Sequence, residues 1–183
     1  MNFIKTETGI EGLFTIQPKA FSDNRGYFFE SYKASDFIEL GINDNIVQSN
    51  QSRSSKGVIR GLHFQSGEFA QGKLVRCLSG RIYDVAVDIR KDSKTYGKHF
   101  GIELSDENKL MFYIPKGFAH GFSVLSKSAD VFYDVFGGQY NKDSEGGIRF
   151  DDPDLGIDWQ IGESILSDKD KELDFFKDFK NSF

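Results

Sequence analysis

The sequence predicts an all-β fold, a sandwich or barrel of short strands with a few short helices at its edges. Three observations carry that expectation. Apolar and polar residues alternate with period two through the middle of the chain, as half-buried strands do. Clusters of Gly, Asn, Asp and Ser separate the alternating runs at short intervals. Aromatic residues make up 15% of the chain and glycine is abundant (19), against 3 Pro and 1 Trp, which suits strands joined by tight turns better than a helical bundle.

Taken in chain order, strand-like runs occupy residues 12–18, 27–32, 46–52 and 58–65. Residues 73–78 and 82–89 follow as a hairpin closed by Ser79-Gly80. In its second strand Tyr83, Val85, Val87 and Ile89 share one face, and Asp84, Ala86 and Asp88 the other. Further strands are expected over 98–104, 111–114, 121–125 and 131–136, the last with Val131, Tyr133 and Val135 on one side and Phe132, Asp134 and Phe136 on the other. Helix is expected in two places. Residues 35–41 read as a short helix with Ser35 as N-cap and Gly41 as terminator. Ser167-Asp168-Lys169-Asp170 opens a second, continued by Leu173, Phe176 and Phe179 at helical spacing.

Composition narrows the function classes. The 183 residues suit one domain spanning 1–183, with no linker, repeat or low-complexity stretch, and the acidic run Phe150-Asp151-Asp152-Pro153-Asp154 is too short to divide it. No apolar run reaches the ~18 residues of a membrane helix. The opening residues lack the apolar core of a secretion signal, so a cytoplasmic chain is expected. A single cysteine, Cys77, excludes an internal disulfide and multi-cysteine metal sites. The net charge of −5 argues against nucleic acid as a partner, while leaving room for a small anionic ligand held by a few arginines.

The chemistry-bearing residues are few. Of three histidines, His99 has no polar company, His63 lies in a strand among apolar residues, and His120 lies in a glycine-flanked turn. Each of the last two has a plain structural reading, as a half-buried strand residue and as a turn residue bonding local backbone. Lys73 shares its face with Val75 and Cys77, and a lysine directed into a barrel must find an anion or serve one. Tyr133 points the same way as Val131 and Val135, which ordinary aromatic packing would also explain. Asp170 falls at the third position of a helix, where a carboxylate belongs in any case. Together these groups suit proton abstraction beside a carbonyl. A base takes the proton, a cation holds the enolate oxygen, and a phenol returns a proton to the other face. No nucleotide-cofactor fingerprint is present, and no cofactor or metal is expected for such a reaction.

Five segments, Arg25-Gly26-Tyr27-Phe28-Phe29-Glu30, residues 58–65 with Arg60-Gly61-Leu62-His63, Gln71-Gly72-Lys73-Leu74-Val75-Arg76-Cys77, residues 84–90, and Ile114-Pro115-Lys116-Gly117-Phe118-Ala119-His120-Gly121-Phe122, closely resemble the dTDP-4-dehydrorhamnose 3,5-epimerase family. The likeness runs from about residue 8 to residue 171, in order and at family spacing. It implies a cupin-type jelly roll that acts, as a homodimer, on a dTDP-4-keto-6-deoxy sugar on the route to dTDP-L-rhamnose. Carried over by position, it implies His63 as proton acceptor with Asp170 as its partner, Tyr133 as proton donor and Lys73 as enolate stabiliser. Arg25, Glu30, Gln48, Asn50, Arg60, His120, Tyr140, Glu145 and Lys169 fall where the family contacts the nucleotide sugar.

Three departures set further expectations. Gln48-Ser49-Asn50-Gln51 stands where the family usually reads Gln-Asp-Asn-His, which implies a lost carboxylate against the base. Phe136-Gly137-Gly138-Gln139-Tyr140 carries one apparent extra residue, and its glycine pair is expected to make a loose wall beside the sugar that releases singly inverted product. Strict alternation also puts Arg60 opposite His63, which a bulge at Gly61 would resolve. Alternative readings are a single-centre epimerase of a related nucleotide sugar, a metal-dependent cupin ligated by His63, Glu68 and His120, and a catalytically inert sugar-nucleotide binding module.

Overall fold

In the computed structural model, which describes residues 1–180 and Phe183, two antiparallel sheets lie face to face. The chain runs β1 (Phe3–Glu7), β2 (Phe14–Pro18), β3 (Phe21–Asp23), β4 (Gly26–Phe28), α1 (Ala34–Glu39), β5 (Ile46–Ser55) and β6 (Ile59–Gln65). It continues through β7 (Gln71–Ser79), β8 (Arg81–Asp88), β9 (His99–Ser105), β10 (Met111–Ile114), β11 (Phe118–Val124), β12 (Ser128–Gly137), β13 (Glu145–Gly147) and α2 (Asp168–Lys171). One sheet has the order β1-β2-β10-β7-β12-β5 and the other β13-β6-β11-β8-β9, while β3 and β4 form a separate hairpin. Two facing sheets with crossed connections are the jelly-roll arrangement expected from the sequence.

Period-two alternation explains three apolar layers. Between the sheets lie Val75, Cys77, Ile82, Ala86, Phe112, Phe122 and Val131. On the outer face of the smaller sheet Val85, Val87 and Ile89 pack under the C-terminal segment with Trp159 and Phe179. On the outer face of the larger sheet Leu74, Met111 and Phe136 are covered by Phe37 and Leu40 of the α1 region. In β8 the apolar row therefore faces outward onto packed chain, and the row of Asp84 and Ala86 faces the interior. With both faces of β8 covered, polar groups on its interior row such as Asp84 must find their partners inside the protein.

The helices differ from expectation. α1 begins at Ala34 with Lys33 in the cap position, and Ser35 bonds Asp36 instead of capping, because the Lys33 ammonium pairs with Asp36 at 3.2 Å and draws the first turn upstream. α2 starts after Ser167, whose Oγ accepts from the Asp170 N–H at 3.1 Å, but ends at Lys171. Leu173, Phe176 and Phe179 lie beyond it, and Phe176 and Phe179 dock on the outer core. Tertiary packing outweighs a spacing that an isolated helix would need more turns to exploit. The sequence reading also missed β1, where Phe3 alone is buried, and β13, which is Glu-Gly-Gly.

Candidate active site

The site forms where β5, β6, β7, β11 and β12 converge at one end of the sandwich. His63 on β6 stands directly across from His120 on β11. From there the register slips, with Arg60 opposite Phe122, so β6 carries an extra residue over this stretch. Gly61 is that bulge, at φ +135°, and a Cβ there would lie 2.5 Å from the Cα of Gly121. The bulge brings Arg60 to the same cavity as His63, as the alternation argument required.

Two lobes open from this point. One, of about 370 Å³, is lined by Ser52, Arg60, His63, Lys73, His120, Tyr133, Lys169 and Asp170, with Ile59, Phe122, Ile165 and Leu166 as apolar walls. The other, of about 280 Å³, is lined by Gln48, Asn50, Gln65, Gln71, Tyr140 and Glu145 together with His63, Lys73 and Tyr133. The last three side chains face both lobes, so they stand at the waist of the cavity.

The waist gathers an imidazole, an ammonium and a phenol. His63 Nε2 meets Asp170 Oδ1 at 2.6 Å. An aspartate on Nε2 holds the ring proton there and leaves Nδ1 as the accepting lone pair. Burial pushes the Asp170 carboxyl upward, but the bonds from His63 and Ser167 outweigh it and hold it below its ordinary range. Lys73, whose ammonium sits 5.7 Å from the Tyr133 ring centre, is pulled down by burial to about 8, with Asp84 and Glu145 opposing that fall. It keeps its proton at neutral pH and loses it readily above. Burial raises the Tyr133 phenol, against the Asn50 amide across the strand pair, so it stays a proton donor.

A second pair lies behind. His120 Nε2 contacts both carboxylate oxygens of Asp84, at 2.9 and 3.1 Å. Burial drives the His120 imidazole down, opposed by Asp84 and reinforced by Lys73 and His63. Asp84 was missed in the sequence reading. Its signal was an aspartate in register with Ala86 on the interior row of β8. At the mouth Lys169 pairs with Glu145 at 2.6 Å, and the Tyr140 hydroxyl donates to Glu145 at 3.2 Å. Burial pushes Glu145 up, yet Lys169 prevails and holds it low.

Of the predicted residues, only Arg25 and Glu30 are not brought to this cavity. Arg25 sits in the β3–β4 turn, 85% exposed and forked onto Asp23, and Glu30 accepts from the Asn2 amide at 2.8 Å. Two departures resolve as corrections. Ser49 lies on the outward row of β5 with its hydroxyl on Asp134 at 2.5 Å, so a carboxylate there would not face the cavity. Gly137-Gly138 is no loose wall. Gly138 donates to the Ala70 carbonyl at 3.1 Å and its own carbonyl accepts from Gln71 at 3.1 Å. A Cβ on Gly138 would meet the Phe69 backbone at 2.4 Å, so these glycines permit close packing. The register does slip beside them, between Val135 and Phe136, but the unmatched residue is Val47 on β5. Glu68, the third ligand of the metal-cupin alternative, is exposed in a short turn, and no group of three His, Cys, Asp or Glu side chains able to hold a metal occurs among the described residues.

The chain is similar to known proteins over nearly its whole length. The family model described as dTDP-4-dehydrorhamnose 3,5-epimerase matches residues 7–178. The dTDP-4-dehydrorhamnose 3,5-epimerase of Shigella flexneri is 50% identical over 171 residues, covering 93% of each chain. The crystal structure of the Elizabethkingia anophelis enzyme of that name superposes with a TM-score of 0.93 at 52% identity, covering 99% of this chain and 100% of the other. A Legionella pneumophila dTDP-6-deoxy-D-glucose-3,5-epimerase, solved in complex with dTDP-4-keto-L-rhamnose, gives 0.92 at 49% identity over 96% and 93% of the two chains. On these matches the chain belongs to the dTDP-4-dehydrorhamnose 3,5-epimerase family.

Proposed function

We propose that this enzyme inverts C3 and C5 of dTDP-4-dehydro-6-deoxy-D-glucose by proton transfer through an enolate, using His63 as the base at both carbons and Tyr133 as the acid. One observation carries the reading. His63, Lys73 and Tyr133 are the side chains common to both lobes, and Asp170 stands 2.6 Å behind the histidine. Both carbons flank the C4 ketone, so one set of groups serves both once the ring changes its pose. His63 removes the proton, the electron pair moves onto the C4 oxygen, and the Lys73 ammonium holds that charge. Tyr133 then protonates the carbon from the opposite face. His63 ends with a proton and Tyr133 without one, and exchange with water resets both. Each inverted carbon therefore carries one hydrogen from solvent.

Arg60 and Lys169 supply cationic charge for the diphosphate, and Gln48, Asn50, Tyr140 and Glu145 offer donors and acceptors to the remainder of the nucleotide sugar. Arg25 and Glu30 fit the same ligand only across a homodimer. The β3–β4 hairpin stands out with Phe21, Tyr27 and Phe28 exposed, the last at 66%, and this apolar projection is suited to a second copy whose cavity Arg25 would enter. The reading places the enzyme in the cytoplasm, in keeping with its one unpaired thiol. Incubation with dTDP-4-keto-6-deoxyglucose in deuterated water, followed by proton NMR, tests the proposal. The doubly inverted sugar deuterated at C3 and C5 is expected. A single labelled and inverted carbon would favour the single-centre alternative, and neither would favour the binding-module alternative. Light scattering at twice the chain mass, together with a raised KM and unchanged kcat in Arg25→Ala, is expected for the dimer.

A further inference from the structure

Asp170 is placed by very little secondary structure, since α2 is four residues long. Its alignment with His63 therefore depends on what fastens the C-terminal segment to β6. One fastening is direct: ahead of α2, Ile165 donates to the Gly57 carbonyl at 2.8 Å and accepts from the Ile59 N–H at 3.0 Å. That leaves the side of α2 beyond Asp170, whose fastening runs through the chain just after β13. Ile148 and Leu62 exchange backbone hydrogen bonds at 2.9 and 3.1 Å, extending the sheet past His63. The next residue, Arg149, turns to the C-terminal segment. Its backbone N–H donates to the Asp174 carbonyl at 2.9 Å, and its Nη1 donates to the Lys171 carbonyl at 2.9 Å, at the exposed end of α2. Its Nε and Nη2 fork onto Asp151 at 2.8 and 2.7 Å, and the guanidinium lies over the Phe175 ring at 5.0 Å. Asp152, buried beside it, accepts from the Phe176 N–H at 2.7 Å. The acidic run that serves neither cavity lobe is thus the other half of this latch.

We propose that Arg149 is a positioning residue for the His63–Asp170 pair. Its planar fork is held by Asp151, and its Nη1 fixes the carbonyl one residue after Asp170 relative to the strand pair that carries His63. None of these Arg149 partners lines either lobe, so its effect on catalysis is to hold the carboxylate in place. The inference rests on the reading of His63 as the base and Asp170 as its partner.

Steady-state kinetics with the keto sugar test it in native enzyme, Arg149→Met, Asp170→Ala and the double variant. Arg149→Met is expected to lower kcat about tenfold, because a sub-ångström drift of a catalytic group has that order of effect, and to leave KM within about twofold. The acid limb of its kcat/KM profile is expected to move in the same direction as in Asp170→Ala. In the Asp170→Ala background Arg149→Met is expected to cost nothing further, since there is no carboxylate left to position. Arg149→Lys, which keeps the stem and one donor, is expected to recover part of the loss, and replaces Arg149→Met in the same comparisons should that variant fail to fold. Native kcat in the single variant, or an undiminished tenfold loss on top of Asp170→Ala, would overturn the positioning role. Full activity in Asp170→Ala itself would instead overturn the reading of the pair, so the two failures are distinguishable.

Discussion

The molecule contains the same chemical pair twice, and the two copies have different fates. His63 with Asp170 and His120 with Asp84 are built on histidines that face each other across β6 and β11, each with an imidazole Nε2 on a carboxylate at 2.6 and 2.9 Å. The first histidine is 30% exposed at the waist of the cavity, whereas the second is 7% exposed and its aspartate fully enclosed. His120 and Asp84 come from adjacent strands whose register fixes them, since Asp84 stands opposite Phe122, two residues from His120. His63 instead borrows its carboxylate from a short helix far along the chain. On the proposed reading, the difference in exposure separates a base, which must face space to exchange its proton, from a pair that is enclosed. Almost enclosed in the cavity wall, the second pair holds shape and charge for its neighbours, here the Lys73 ammonium that Asp84 helps keep protonated.

The largest expected effect falls on the open pair. His63→Asn is expected to lower kcat by about a thousandfold with the melting temperature little changed, which is the usual size of a lost general base. In the sealed pair the balance reverses. Asp84→Ala is expected to cost about 2–3 kcal/mol of stability, measured by urea unfolding, because it leaves buried polar groups unmet. Comparable stability losses in His63→Asn and Asp84→Ala would break the contrast.

Lys73 lies between the two pairs and sharpens the comparison. Its amine is lowered in the folded protein to about 8 from an ordinary 10.5. The unfolded chain therefore binds more protons between those values, and the burial penalty is complete below pH 8 and fades above it. Lys73→Met is expected to abolish turnover and yet raise stability at pH 7 by about 2 kcal/mol, with the gain shrinking toward pH 10. In the native enzyme the basic limb of kcat/KM is expected near pH 8, as the ammonium that holds the enolate is lost.

A smaller effect is expected at Asp88, a carboxylate that lines neither lobe of the cavity. Burial would raise it, but Arg90, Ser93 and Thr95 all donate to it and bring it down to about 2. Its contribution to stability is present above pH 4 and is lost as the pH falls toward 2. Asp88→Asn is expected to cost about 2 kcal/mol at pH 7, and urea unfolding near pH 2.5 is expected to show a much smaller difference.

How much of this was legible in the sequence depends on whether a neighbour in the chain or in space decides. Alternation placed Lys73 with Val75 and Cys77, and Tyr133 with Val131, on the interior face, where the structure has them. Alternation and the resemblance together located the bulge, because the family places both Arg60 and His63 near substrate and alternation allows that only if Gly61 breaks the count. Resemblance supplied the pairing of His63 with Asp170, which no local pattern could, since 107 residues separate them. Asp84 was passed over because an aspartate on a strand reads as solvent-facing until the opposite face is known to be covered. The glycine pair misled for a related reason. Sequence displays the freedom of Gly137-Gly138 but not the Phe69 backbone packed against it. With that wall closed, the share of singly inverted product is expected to be small, and a product time course by NMR would show it.

The central claim is that one base serves both carbons, and the most direct measurement is solvent-deuterium incorporation by His63→Asn beside Tyr133→Phe. Native enzyme is expected to label C3 and C5. Tyr133→Phe is expected to retain exchange at His63 while yielding little inverted sugar, because the abstracted proton has no donor on the opposite face. His63→Asn is expected to label neither carbon. Deuterium at C5 in folded His63→Asn at the native rate would contradict the account, because a second base would then be at work.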